Sequence, residues 1–135
     1  MLTGLWGDWI IMTFRPTLLV VDDDAIIRMD TIEQFEKTGF RVLEAENADD
    51  AVAVLSAEPD IRIVFSDIQM PGIMDGVGLC SYVRKTYPPL IIILCSGQVR
   101  PDLNSLPEGV QFFRKPISPE MLAQTAEHLH QRLAS

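Results

Sequence analysis

Four places in the chain put chemically competent side chains directly after apolar runs. Asp22, Asp23 and Asp24 follow residues 17–21, Asp67 follows 61–66, Ser96 follows 90–95, and Lys115 closes the run that begins at Gln111. If these runs are strands ending at one edge, four carboxylates, a hydroxyl and a lysine meet on an otherwise apolar scaffold. Two carboxylates within a few ångströms repel, and each is pushed toward protonation unless a cation intervenes. A hard divalent ion with oxygen ligands resolves the conflict. Magnesium fits best, because it uses one or two carboxylates, keeps several waters and bridges to phosphate; manganese is the alternative ion. The plainer reading is that Asp22–Asp24 cap the following helix and Lys115 bridges to one of them, which needs no ligand. For Asp24 capping is a sufficient explanation.

The elements that must position these residues follow from hydrophobic period. Residues 17–21 read as a short strand and 25–38 as a helix, with Met29, Ile32 and Phe35 on one stripe and Gly39 as its stop. Residues 41–45 suggest a second strand. Asn47 caps a second helix, with Asp50 in a capping-box-like position, Ala51, Val52 and Leu55 inward, and Pro59 closing it. Residues 61–66 form a third strand, and 76–86 a helix with Leu79 and Val83 inward, ended by Pro88-Pro89. Residues 90–95 are the most apolar run and read as a strand buried on both faces. Residues 111–113 make a fifth strand, and Ser118-Pro119 opens a last helix striped by Leu122, Ala126, Leu129 and Leu133. This alternation predicts an α/β, doubly wound parallel sheet with helices on both faces, whose ligands bind beyond the carboxyl ends of the strands. Gly97, Pro101, Pro107 and Gly109 leave little room for a regular helix between the fourth and fifth strands, so the fourth helix is expected to be short or irregular.

The 135 residues match one domain: residues 15–135 form it, and 1–14, with Trp6 and Trp9, read as an N-terminal extension. A composition of 47% hydrophobic and 22% charged residues describes a globule, not a disordered tail. Nineteen acidic against eleven basic residues give a net charge of −8, which argues against nucleic-acid binding. Cys80 and Cys95 make no disulfide framework and fit a cytoplasmic setting. No apolar stretch reaches membrane-span length. His128 and His130, two apart on the last helix, are expected in solvent rather than on a metal.

At this point the blocks LLVVDDD (18–24), VFSDIQMPGIMDG (64–76), IILCSG (92–97) and FFRKP (112–116), in that order, become recognisable. Residues 17–133 resemble the receiver domain of two-component response regulators, similar to the chemotaxis regulator. The resemblance implies a five-stranded flavodoxin-like sheet of order 2-1-3-4-5. It places Asp67 at the phosphoryl-accepting aspartate and Asp22 and Asp23 at the acidic pair, with Asp23 binding magnesium directly and Asp22 mostly through water. The backbone carbonyl of Gln69 becomes a further metal ligand. Lys115 matches the lysine that pairs with the acceptor carboxylate, and Lys115-Pro116 the cis bond preceding Pro116. Ser96 matches the hydroxyl that follows the phosphoryl group, and Phe112 the aromatic switch. The implied partners are a histidine kinase or phosphotransfer protein, docking near the first helix around Ile27, and a downstream protein target; a homodimer is left open.

Departures accompany the resemblance. The Ser96-to-Lys115 spacing is a few residues short, Gly97 replaces the commoner alanine, and Ile73-Met74 lengthens the loop after Asp67. PGIMDG, Ser96-Gly97 and LPEG (106–109) are similar to a subgroup of stand-alone alphaproteobacterial receivers. The implied function is a single-domain response regulator with self-catalysed phosphotransfer and autodephosphorylation, rather than a conventional enzyme, signalling by protein contact or acting as a phosphate sink. Two alternatives stand beside it. One is a phosphorylation-independent pseudo-receiver serving as a constitutive binding module. The other is a small aspartate-nucleophile phosphatase, which normally needs a second aspartate where Gln69 stands.

Overall fold

The apolar runs become strands whose burial follows their place in the sheet. A computed structural model describes residues 15–97, 104 and 106–134. Its elements are β1 (Thr17–Val21), α1 (Ala25–Lys37), β2 (Arg41–Ala45), α2 (Ala48–Ala57), β3 (Ile61–Asp67), α3 (Gly76–Thr86), β4 (Ile91–Ser96), β5 (Gln111–Arg114) and α4 (Pro119–Ala134). The strands pair in parallel in the order β2-β1-β3-β4-β5. Every residue of β1 and β4 is buried, as central strands covered on both faces require, whereas the edge strands β2 and β5 are only partly covered.

Alternate strand residues supply two cores. Leu19, Val21, Val64, Ile92 and Leu94 pack against α2 and α3. Leu18, Val20, Ile63, Phe65, Ile91, Ile93 and Cys95 pack against α1 and α4. Phe35 of α1 meets Phe40 and Phe65 edge-on, with ring centroids 5.7 and 5.3 Å apart, an arrangement that aromatic quadrupoles favour.

The helices start where capping residues allow. Asp24 accepts from the N–H groups of Ile26 and Ile27, Asn47 from Asp50, Asp75 from Gly78 and Ser118 from Met121. Gly39, at φ +96°, turns the chain from α1 into β2.

Two expectations need correction. Met29 is 67% exposed, because steps of three residues drift by about 60° round a helix and carry it away from Phe35. Val52, by contrast, is partly buried and packs against the core that holds Ala51 and Leu55, as its inward position requires. His128 is exposed, but His130 is not a solvent residue. Its ring stacks on Phe40 at 4.2 Å, and its Nε2 donates to the Thr38 carbonyl at 2.7 Å, tying α4 to the end of α1. The extension 1–14, with Trp6 and Trp9, and half of the β4–β5 crossover, where the short or irregular fourth helix is expected, including Pro101, lie outside the described residues. Among the described residues, no helix is long and apolar enough to cross a membrane.

Candidate functional site

Parallel register brings the polar strand ends together. Val21 lies opposite Ser66, Asp67 opposite Cys95, and Ser96 opposite Arg114, so Asp22, Asp67, Ser96 and Lys115 emerge along one edge. Asp22, Asp67 and Ser96 are buried and Asp23 is exposed. One carboxylate oxygen from each of Asp22, Asp23 and Asp67 lies within 4.8 Å of the others.

Lys115 is held by its backbone as well as its charge. Its N–H donates to the Ser96 carbonyl at 3.0 Å, and the Lys115-Pro116 bond is cis. Its Nζ donates to Asp22 Oδ2 at 2.8 Å and stands 3.6 Å from Asp67 Oδ2. The tight partner of the lysine is therefore Asp22, with Asp67 in looser contact. The other oxygen of Asp22, Oδ1, accepts the Asp24 N–H at 2.9 Å.

Burial raises the proton affinity of Asp67; Lys115 opposes the rise, while Asp22 and Asp23 add to it, and the Gln69 N–H works against it. Burial also opposes the charge on Lys115, but its hydrogen bond to Asp22 and the neighbouring negative charge outweigh that, so its pKa moves up. Three carboxylates sharing one lysine leave net negative charge in a partly desolvated site.

The donor set fits a small hard cation. Oxygens around octahedral magnesium sit at 2.0–2.1 Å from the ion, which places opposing oxygens roughly 4 Å apart. Three carboxylates within 4.8 Å reach such a sphere with small adjustments or through water. Asp22, Asp23 and Asp67 would hold the ion.

The loop after Asp67 packs tightly against α3. The Ile68 N–H donates to the Cys95 carbonyl at 3.0 Å, and the Gly76 N–H to the Ile68 carbonyl at 2.8 Å. A Cβ on Gly76 would stand 2.7 Å from the Ile68 Cα and closer still to the Asp67 carbonyl oxygen. Phe112 of β5 packs against the core shared by α2 and α3. On the other face, a groove of about 680 Å³ lined by Ile26, Ile27, Phe65, Cys95, Ile117 and Leu122 opens beside Lys115.

Comparison with known proteins decides the family. The model of the response regulator receiver domain matches residues 18–127. The chain belongs to the response-regulator receiver family. Over 124 residues the receiver is 32% identical to the C4-dicarboxylate transport transcriptional regulatory protein DctD of Rhizobium meliloti, covering 90% of this chain and 26% of that protein. It is 31% identical over 122 residues to the transcriptional regulatory protein ResD of Bacillus subtilis, covering 89% of this chain and 50% of that one. The chain thus spans half or less of the length of these curated relatives. Among solved structures, a receiver domain protein from Methanospirillum hungatei superposes with a TM-score of 0.78 at 25% identity, over 88% of this chain and 96% of the other. The NtrX receiver domain from Brucella abortus gives 0.71 at 27% identity, over 84% and 98%.

The sequence-predicted acidic residues, Ser96 and Lys115 thus share one edge of the receiver, while Phe112, partly buried, lies farther back on β5 opposite Leu94. Sequence reasoning missed Arg28. Its Nη1 donates to the Asp22 carbonyl at 2.7 Å and its Nε to Glu44 Oε1 at 2.9 Å. A side chain that bonds a backbone carbonyl leaves no motif, so the signal was only an arginine one turn into α1.

Proposed function

We propose that Asp67 accepts a phosphoryl group from the phosphohistidine of a histidine kinase or phosphotransfer protein, and that the receiver signals by protein–protein contact. The observation that carries this reading is the meeting of Asp22, Asp23 and Asp67 within 4.8 Å, with Lys115 Nζ 3.6 Å from the Asp67 carboxylate.

The Asp67 carboxylate attacks phosphorus in line; the phosphorus–nitrogen bond breaks with its electron pair left on the donor imidazole nitrogen, which takes a proton from solvent, and an acyl phosphate forms on Asp67. Lys115 offsets the repulsion between an anionic nucleophile and an anionic phosphoryl group. A bound magnesium ion would supply charge neutralisation and alignment of the phosphoryl oxygens, held by Asp22, Asp23, Asp67 and the Gln69 carbonyl. Attack by water on the same phosphorus releases phosphate and resets the site.

The phosphoryl group adds negative charge and three acceptor oxygens. Ser96 follows those oxygens in this proposal, and Phe112 repacks with the shift of β4, altering the surface near β5. The groove between α1 and the β5–α4 loop, with exposed Ile26 and Ile27, suits the apolar face of a histidine-bearing helical partner. The PGIMDG and LPEG blocks support a place among stand-alone receivers of alphaproteobacterial type, with a cytoplasmic setting.

The test is intact-protein mass spectrometry after incubation with acetyl phosphate and magnesium. A labile gain of one phosphoryl group, absent without magnesium and absent from Asp67→Asn, supports the proposal. A magnesium-independent gain, or the same gain in the variant, overturns it.

A further inference from the structure

The two aspartates that directly follow β1, Asp22 and Asp23, are held in different ways. The Asp22 carboxylate is fixed by its own bonds, one oxygen to Lys115 Nζ and the other to the Asp24 N–H. Asp23 is exposed, and among the described residues no side-chain hydrogen bond or ion pair anchors its carboxylate. What aims Asp23 is the peptide plane that precedes it, whose oxygen is the Asp22 carbonyl. An ordinary helix-start residue would leave that plane to solvent.

Here it is clamped. The Arg28 guanidinium, with its side chain only 13% exposed, donates Nη1–H to the Asp22 carbonyl at 2.7 Å. It is itself steered by Glu44 of β2, whose Oε1 accepts from Nε at 2.9 Å. Two more bonds close the assembly: the Asp22 N–H donates to the Ala45 carbonyl at 3.1 Å, and the Arg28 N–H donates to the Asp24 carbonyl at 2.9 Å. The Asp22 peptide units are thus gripped by β2 through Ala45 and, through Glu44 and Arg28, by β2 and α1 together. A planar guanidinium serves two acceptors at fixed angles, which an ammonium on a flexible stem does not.

We infer that Arg28 is a positioning residue for the divalent-cation site, holding the Asp22–Asp23 peptide so that the Asp23 carboxylate faces Asp67. The inference rests on the proposed function, since it concerns the cation that the phosphoryl chemistry uses. Arg28 touches no reacting atom; it acts through Asp23, as partners behind metal ligands commonly do.

The sign of the effect separates this role from the obvious alternative. A positive charge near a cation site opposes binding, so an arginine that contributed only charge would, when removed, leave tighter magnesium binding. A positioning arginine leaves weaker binding. An arginine that only stabilised α1 would lower the melting temperature and leave magnesium affinity unchanged.

The experiment titrates magnesium chloride into the full chain, wild type, Arg28→Met and Arg28→Lys, following the amide signals of residues 22–24 and 67–69 by NMR. A parallel series measures acetyl phosphate-driven phosphorylation against magnesium concentration. Arg28→Met is expected to bind magnesium about tenfold more weakly, with the half-maximal magnesium concentration for phosphorylation rising equally and the rate at saturating magnesium close to wild type. Arg28→Lys keeps the charge and loses the two-acceptor geometry, so it is expected to weaken binding too; should Arg28→Met fail to fold, this variant carries the test. Wild-type affinity in either folded variant, or tighter binding in Arg28→Met, overturns the inference while leaving the wild-type chemistry intact. Absence of magnesium binding and of phosphorylation in the wild type overturns the inference and the proposed function together.

Discussion

Replacing Gly76 by alanine sets two physical effects of opposite sign against each other. Gly76 opens α3 and its N–H closes the turn after β3 by donating to the Ile68 carbonyl at 2.8 Å. Its φ is not positive, so alanine can adopt the backbone, and removing glycine's freedom in the unfolded chain alone would stabilise by roughly 0.4–1 kcal/mol. The added Cβ, however, would lie 2.7 Å from the Ile68 Cα and 2.8 Å from the Asp67 carbonyl carbon, against a comfortable carbon–carbon separation of about 3.5–4 Å. The obstacle is backbone, so no rotamer relieves it, and α3 must move off the end of β3. Overpacking of this kind costs about 1–3 kcal/mol, and stretching the Gly76–Ile68 hydrogen bond about 1 kcal/mol more. The net expectation for Gly76→Ala is a loss of about 2 kcal/mol, or roughly 7 °C in melting temperature for a chain of 135 residues. Thermal unfolding followed by circular dichroism in metal-free buffer reads this directly. An unchanged or raised melting temperature would refute the close-packing reasoning, since only the entropy effect would then survive.

Asp67→Asn is expected to stabilise the metal-free protein at neutral pH. The proton affinity of Asp67 is raised in the fold, so the folded state binds more protons than the unfolded one between the ordinary value of 3.8 and the raised value. Stability therefore falls as pH rises through that window and stays lower above it, and the amide escapes that loss. Melts from pH 3 to 8 should show the variant's advantage at neutral pH and its disappearance at the acid end; an advantage that grows toward acid would contradict the sign. Cys95 and Cys80 are pushed up to about 12 and about 11 by burial, so neither is a thiolate near neutrality. Iodoacetamide at pH 8 should label neither in the folded protein and both in guanidinium, as counted by mass spectrometry. Asn47→Ala removes the acceptor of the Asp50 N–H at the start of α2 and is expected to cost about 1 kcal/mol, a few degrees of melting temperature. Magnesium affinity should be untouched by that change, because the cap lies outside the acidic cluster.

Much of this site was legible because its chemistry sits in side chains placed at strand ends. An aspartate closing an apolar run and a lysine before a proline are readable without coordinates once the runs are recognised as parallel strands. The cap residues Asp24, Asn47 and Ser118 were readable for the same reason, since each bonds only within its own first turn. What escaped depends on contacts between elements far apart in sequence. His130 looked like one of two surface histidines, and only the packing of α4 on α1 shows that Phe40 and the Thr38 carbonyl receive it. Met29 looked inward because three apolar residues at i, i+3 and i+6 resemble a stripe, yet the helix rotates the first of them out. The preference of Lys115 for Asp22 over Asp67 is a difference of less than an ångström, which spacing does not encode. Arg28 bonds a main-chain oxygen and an edge-strand glutamate, and neither partner is marked in the sequence.

The central claim is that Asp67, among three clustered carboxylates, is the one that carries the phosphoryl group. Borohydride reduction after incubation with acetyl phosphate and magnesium converts an acyl phosphate to the alcohol, and peptide mapping then identifies the modified position. Homoserine at position 67 and unaltered aspartate at 22 and 23 is the predicted result. Homoserine at 22 or 23, or at no position in protein that has gained a phosphoryl group, would contradict it.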